Sequence, residues 1–250
     1  MHCSKIFVYC ICIENSSAGE DVISSILGNK TIKQQSTDSG SNQPFKFSYD
    51  DTHVKVKDGG WARQITNKHL SRSVELAGVN MKLFKGAYRE LHWHKEAEWS
   101  YILDGKCKTT VLDPQGNISV NYLVKGDMWY FPGGFPHSIQ GLTDNGCEFL
   151  LIFDSGDFSE ESTFLLTDWL AHTPRNIISK NFNGADVSFV KSFPTAGKFI
   201  FPGKITDDKE FPTNNSYVHN LTVQPPKIYP GGEVKIVDVN NFPISTTVSM

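Results

Sequence analysis

His92 and His94 stand two residues apart, and Glu98 follows four residues after the second, in the stretch G-A-Y-R-E-L-H-W-H-K-E-A-E-W-S-Y-I-L-D-G (residues 86–105). On a strand, positions i and i+2 point to one face, so both imidazoles can grip a single ion. Glu98 lies across a tight turn and can add a carboxylate oxygen. A third imidazole, His137, ends the stretch G-D-M-W-Y-F-P-G-G-F-P-H (residues 126–137). Three neutral nitrogens and one hard oxygen suit a borderline divalent ion: Mn, Fe, Ni, Cu or Zn. The chain has no CxxC pair, which argues against a purely structural zinc site. Four protein ligands on an ion that prefers octahedral surroundings leave adjacent positions for a bidentate ligand. A lone H-x-H is more often a pair of satisfied polar residues on a strand. The spacing of Glu98, Gly105, Gly126, Pro132, Gly134 and His137 around it carries the metal reading.

The elements that must hold these residues are short strands. Residues 79–83 alternate, and 98–103 lead into Asp104-Gly105, which predicts a hairpin turn. Residues 107–112, 120–124 and 128–131 follow as strands, separated by the turn signals of residues 113–116 and 125–127. The unbroken apolar run 148–153 predicts a strand buried on both faces. Strands at this spacing predict an antiparallel sandwich or barrel. Residues 162–172 have helical spacing, and Thr173-Pro174 predicts a second helix with Thr as N-cap and Pro at its first position. Residues 234–239 alternate again and predict one further strand.

Composition excludes several classes. The chain has 250 residues, 39% hydrophobic and 20% charged, so it is neither a disordered tail nor a fibre. Its formal charge of −3, without basic runs, predicts no nucleic-acid partner and no anionic membrane surface. No apolar stretch approaches the roughly 18 residues of a membrane span. Residues 6–13 form a short apolar run after Lys5, followed by Ser16, Ser17 and Ala18. Both signal peptides and stray N-terminal extensions fit this pattern. Asn-x-Ser/Thr sequons at Asn15, Asn29, Asn117, Asn214 and Asn220 lean towards secretion, and the cytoplasm is the other reading. Cys3, Cys10 and Cys12 fall in this extension. Cys107 and Cys147 read as buried thiols on neighbouring strands rather than a disulfide. Residues 14–43, rich in Ser, Thr, Gln, Gly and Asn, read as a mobile leader.

The two histidine-bearing stretches resemble the two cupin motifs: Gly86-x5-His92-x-His94-x3-Glu98-x6-Gly105, and Gly126-x5-Pro132-x-Gly134-x2-His137. The segments 89–99, 129–140, 148–154, 158–164 and 166–174 resemble the bicupin oxalate decarboxylases, from about Phe45 to the C-terminus. The resemblance implies an all-β cupin jelly-roll barrel (double-stranded β-helix), with a few short helices after the barrel. It implies a leader over 1–43, a first cupin domain over 44–180, a connecting segment over 181–232, and the start of a second cupin domain over 233–250. It implies Mn2+, with Fe or Zn as other occupants of the same ligands, held by His92, His94, Glu98 and His137.

The implied activity is a carbon–carbon lyase reaction, oxalate to formate and carbon dioxide, with dioxygen as cofactor. Arg89 would bind oxalate, its fork suiting a carboxylate. Ser159, Glu160, Glu161, Ser162 and Thr163 resemble the mobile lid of that family, with Glu160 moving the proton; the same residues can also simply cap the helix that follows. The family's usual Asn is replaced here by Glu161, an added negative charge beside an anionic substrate. Trp93 and Trp129 read as packing residues that can also line the site. Alternatives are an oxalate oxidase giving peroxide and carbon dioxide, or a non-catalytic metal-binding or storage cupin. Association through an exposed cupin face, as a homo-oligomer, is the expected assembly.

Overall fold

The structure is a computed structural model, and it describes residues 45–184, 187–206 and 215–246. The expected leader and signal-like run lie outside the described residues. The described residues within 45–224 and 238–246 form the large unit. Its strands are β1 Val54–Lys57, β2 Gly60–Ile65, β3 Ala77–Leu83, β4 Tyr88–Trp93, β5 Glu98–Leu112, β6 Ile118–Val124, β7 Asp127–Phe131, β8 His137–Gly141, β9 Cys147–Phe153, β10 Phe164–Leu165, β11 Ile200–Phe201 and β12 Val218–Asn220. Short helices follow the barrel: α1 Leu166–His172, α2 Arg175–Asn181 and α3 Val187–Lys191. Residues 225–237 belong to a separate compact unit, with a hairpin of β13 Lys227–Tyr229 and β14 Gly232–Val234. No helix among the described residues is long and apolar enough to cross a membrane.

The strands curl into a cupin jelly roll. One path runs β1-β2-β3-β9-β5-β8-β4-β10, all antiparallel, with β6 and β7 also on β5. Strand β5 joins the two parts of the curled sheet because its two halves serve different neighbours. Residues 98–105 pair with β9, and residues 107–111 pair with β8. The register shifts between Ile102 and Asp104, and Gly105 has φ 77. Asp104-Gly105 is therefore a bulge inside one long strand, not the hairpin turn expected. Both structures demand a residue at positive φ, so the dipeptide alone does not separate them. A Cβ at position 105 would also stand 2.2 Å from the Gly146 carbonyl oxygen.

The core fills the barrel. Val79, Met81 and Leu83 of β3 face Phe149, Leu151 and Phe153 of β9, together with Ile102, Trp129, Phe131 and Ile139. Each such side chain contributes about 1.5–3 kcal/mol by leaving water. The expectation that 148–153 is buried on both faces is corrected. Leu150 and Ile152 alternate as half-buried residues, because β9 packs on the core by one face. Cys107 and Cys147 are free, buried thiols on paired strands, as expected.

Three helical or strand boundaries differ from expectation. Phe164 and Leu165 are captured as a strand by Trp93 and His92 of β4, so the helix starts at Leu166. Thr173 does not cap α2. Its hydroxyl donates backwards to the Trp169 carbonyl, and Pro174 takes the cap position. The strand expected over 234–239 stops at Val234. Within the stretch expected to connect, β11 returns to pair with β4 and β12 with β7.

Candidate metal centre

His92 lies directly opposite His137 in the β4–β8 ladder, so their rings come within 4.1 Å, centroid to centroid. His94 follows just past the end of β4, its ring edge-on to Phe153 and Phe158, which stack on each other. Glu98 opens β5 between β7 and β9. One ligand atom from each of these residues lies within 4.8 Å of the others, and all four side chains are buried. The four residues expected from the sequence are thus brought together inside the barrel.

The imidazoles are pre-set as ligands. Each Nδ1 sits on a backbone carbonyl: His92 on Glu90 at 2.7 Å, His94 on Glu96 at 2.7 Å, His137 on Phe135 at 2.8 Å. A carbonyl only accepts, so Nδ1 carries the proton and Nε2 keeps its lone pair. The His137 Nε2 has no hydrogen-bond partner among the described residues although it is fully buried. An orphaned, inward-facing nitrogen beside two more and a carboxylate fits a divalent ion. Burial first, then Arg89, His137 and His94, hold the His92 imidazole well below its ordinary range. Burial opposes ionisation of Glu98, but His137 and His94 outweigh it and pull its carboxyl far below the usual range. Burial likewise opposes a charged His94, and Glu98 wins there by raising it. Charge pairing thus outweighs desolvation at Glu98 and His94, whereas burial prevails at His92.

Trp129 has a role that its sequence context did not disclose. Its indole Nε1–H donates to Glu98 Oε1 at 2.7 Å. That leaves Oε2 turned towards His94 Nε2 at 3.2 Å and His137 Nε2 at 3.5 Å. Outer partners of this kind fix ligand orientation. Trp93, by contrast, stacks outside on Phe164.

Arg89 is fully buried next to the cluster. The β4–β8 register shifts between Arg89 and His92, so two residues three apart both turn inward. Strict alternation would have sent one outward. Arg89 Nη2 donates to Glu160 Oε2 at 2.7 Å and to Thr163 Oγ1 at 3.2 Å, while its Nε and Nη1 have no hydrogen-bond partner among the described residues. Residues 159–163 form one 3-10 turn, capped by Ser159, whose hydroxyl accepts from the Glu161 amide. Glu160 is buried on Arg89; Glu161 points outward to Lys55 Nζ at 2.7 Å. The turn therefore keeps the extra acidic side chain out of the site.

Sequence reasoning missed Glu90, Phe199 and Lys55. The Glu90 carboxylate accepts from the Thr167 hydroxyl and from the amides of Thr167, Lys198 and Phe199, the last at 2.6 Å. This holds Phe199 at φ 67, a conformation that costs a bulky residue about 1–2 kcal/mol. The Phe199 ring then lies 4.3 Å from the Arg89 guanidinium and 4.0 Å from Lys55 Nζ. A cavity of about 90 Å³, lined in part by His53, Lys55, Arg63, His69 and Glu160, opens on the outer side of the turn.

The comparisons with known proteins agree with this geometry. The cupin family model matches residues 48–187. Oxalate decarboxylase OxdC of Bacillus subtilis (strain 168) is 46% identical over 221 residues, covering 85% of this chain and 57% of that protein. A probable oxalate decarboxylase of Arthroderma benhamiae is 36% identical over 224 residues, covering 86% of this chain and 55% of that protein. The Lactobacillus farciminis oxalate decarboxylase in its formate complex superposes with a TM-score of 0.78 at 43% identity, covering 83% of this chain and 63% of that one. A Bacillus subtilis oxalate decarboxylase structure concerned with its Mn(II) centres gives 0.78 at 39% identity, covering 94% and 63%. The chain spans less than two thirds of the length of these relatives. Both motif strands and all four clustered side chains fall inside the matched residues, which are more than half of the sequence, and the chain belongs to the cupin family.

Proposed function

We propose that the chain is a manganese-dependent oxalate decarboxylase acting with dioxygen. The observation that carries the reading is the buried pair Arg89–Glu160 beside the His92, His94, Glu98 and His137 cluster, with two guanidinium nitrogens free to donate. These four side chains would hold the ion. When bound, manganese supplies charge stabilisation of the substrate anion and the one-electron chemistry that dioxygen starts.

The chain's own residues do the rest. Arg89 has a donor left, Nη1 or Nε, for a substrate carboxylate while Nη2 keeps Glu160 in place. One planar group thus orients both the substrate and the base. Glu160 takes the proton of the oxalate monoanion and returns it to carbon once the carbon–carbon bond has broken. The balance is one hydrogen-oxalate giving one formate and one carbon dioxide. The turn at 159–163 covers the site and excludes water, which disfavours diversion to peroxide. The basic side chains of the outer cavity attract the anionic substrate towards the turn. The buried Glu160 favours this reading over an oxalate oxidase, which has no need of a proton returned to carbon.

Exposed Phe164 and Trp169, grouped around Trp93, support association with a second copy. The test of the activity is product analysis on the Mn-loaded chain given oxalate in air. Formate matching the oxalate consumed is expected, and peroxide without formate would replace the reading by the oxidase.

A further inference from the structure

We propose that Lys55 is a specificity-determining residue, latching the 159–163 turn shut by pairing with Glu161. The inference rests on the decarboxylase reading and extends it to a strand outside the two motifs. The turn is docked on the β1–β2 hairpin by two contacts. Gln64 Oε1 of β2 accepts from the Glu160 amide at 3.0 Å, and Lys55 Nζ of β1 meets Glu161 Oε1 at 2.7 Å. Lys55 is positioned for this, because its ammonium lies over the Phe199 ring, whose other cation is Arg89. Two parallel ion pairs, Arg89–Glu160 within and Lys55–Glu161 outside, thus flank one aromatic ring.

The two closures differ in strength. The inner pair is buried; in the outer one the Glu161 side chain is 67% exposed and that of Lys55 27%. An exposed pair shifts an open–closed balance by about 1.5- to 5-fold. That suffices to change how often the site meets solvent during turnover. An open turn leaves Glu160 withdrawn, so no proton is returned to carbon. Oxalate then gives both carbons as carbon dioxide, and its two electrons, with two protons, reduce one dioxygen to hydrogen peroxide.

The test compares Lys55→Ala, Glu161→Lys, and the charge-swapped Lys55→Glu/Glu161→Lys in the full Mn-loaded chain. Amide hydrogen exchange over residues 159–163 reads the latch without any turnover. Lys55→Ala is expected to speed that exchange and to raise the peroxide-to-formate ratio, each by about 2- to 5-fold. The swap is expected to return both towards the parent values. Exchange unchanged in Lys55→Ala, or a swap no better than Glu161→Lys alone, would overturn the proposal. A parent chain that makes neither product would instead remove the decarboxylase reading, while the exchange data still decide the latch.

Discussion

Arg89 and Glu160 are 71 residues apart in sequence, yet their charged groups meet at 2.7 Å with both side chains almost wholly out of water. In the proposed reaction the pairing sets the carboxyl that would move the proton against the guanidinium that would hold the substrate, beside the His92, His94, Glu98 and His137 cluster. Glu160→Ala is expected to lower formate output by about 10²- to 10⁴-fold, the usual share of general acid–base help, with Mn binding retained. Formate assay alongside metal analysis checks it, and undiminished formate would take Glu160 out of the mechanism.

Trp129→Phe keeps an aromatic ring in the barrel but removes the indole donor to Glu98 Oε1. Outer-partner loss weakens metal binding by about 10- to 100-fold. Titration with Mn2+ followed by its EPR signal measures the shift, and unchanged affinity would make Trp129 a filler of space only.

Glu90 gathers a hydroxyl and three backbone amides from two segments. Glu90→Ala leaves the buried Phe199 amide without its acceptor, at an expected cost of about 1–3 kcal/mol, while the half-buried Thr167 and exposed Lys198 donors lose less. Denaturant melts check the stability. Because Phe199 then relaxes, the exchange of amides 198–201 should rise together with the destabilisation.

Much of the centre was legible. His92 and His94 read as alternating positions of one strand, and their rings do converge although β4 already ends at Trp93. The glycine and proline spacing then pointed to His137 and Glu98. What stayed hidden depends on strand register or on long-range folding. Arg89 turns inward only because the β4–β8 ladder slips between Arg89 and His92. Glu161 finds Lys55 across 106 residues, so its charge looked like a burden on the site when it is spent outside. Asp104-Gly105 read as a chain reversal, since a bulge and a hairpin ask for the same left-handed residue. Phe164 and Leu165 fit a helical face until β4 claimed them as an edge strand.

Tyr130 contributes to the loss of stability at alkaline pH, beside Tyr49 and Cys107, which burial raises as well. Burial, helped by Asp154, pushes the Tyr130 hydroxyl from 10.0 up to about 12. The folded state therefore holds the proton more tightly than the unfolded chain does. Its contribution is fully present below the unfolded value and is lost as pH rises through the folded one. Stability should fall between pH 10.0 and about 12, and Tyr130→Phe should flatten that fall. An identical alkaline profile in the variant would assign the loss to other groups.

Four side chains, from β4 and its end, β5 and β8, would hold a single ion, and Mn2+ stoichiometry measured by EPR and elemental analysis tests this most directly. The account predicts one Mn2+ per chain in the parent protein and near-complete loss in His137→Ala, whose backbone and fold remain in place. Mn2+ retained in that variant at parental stoichiometry and affinity would contradict it.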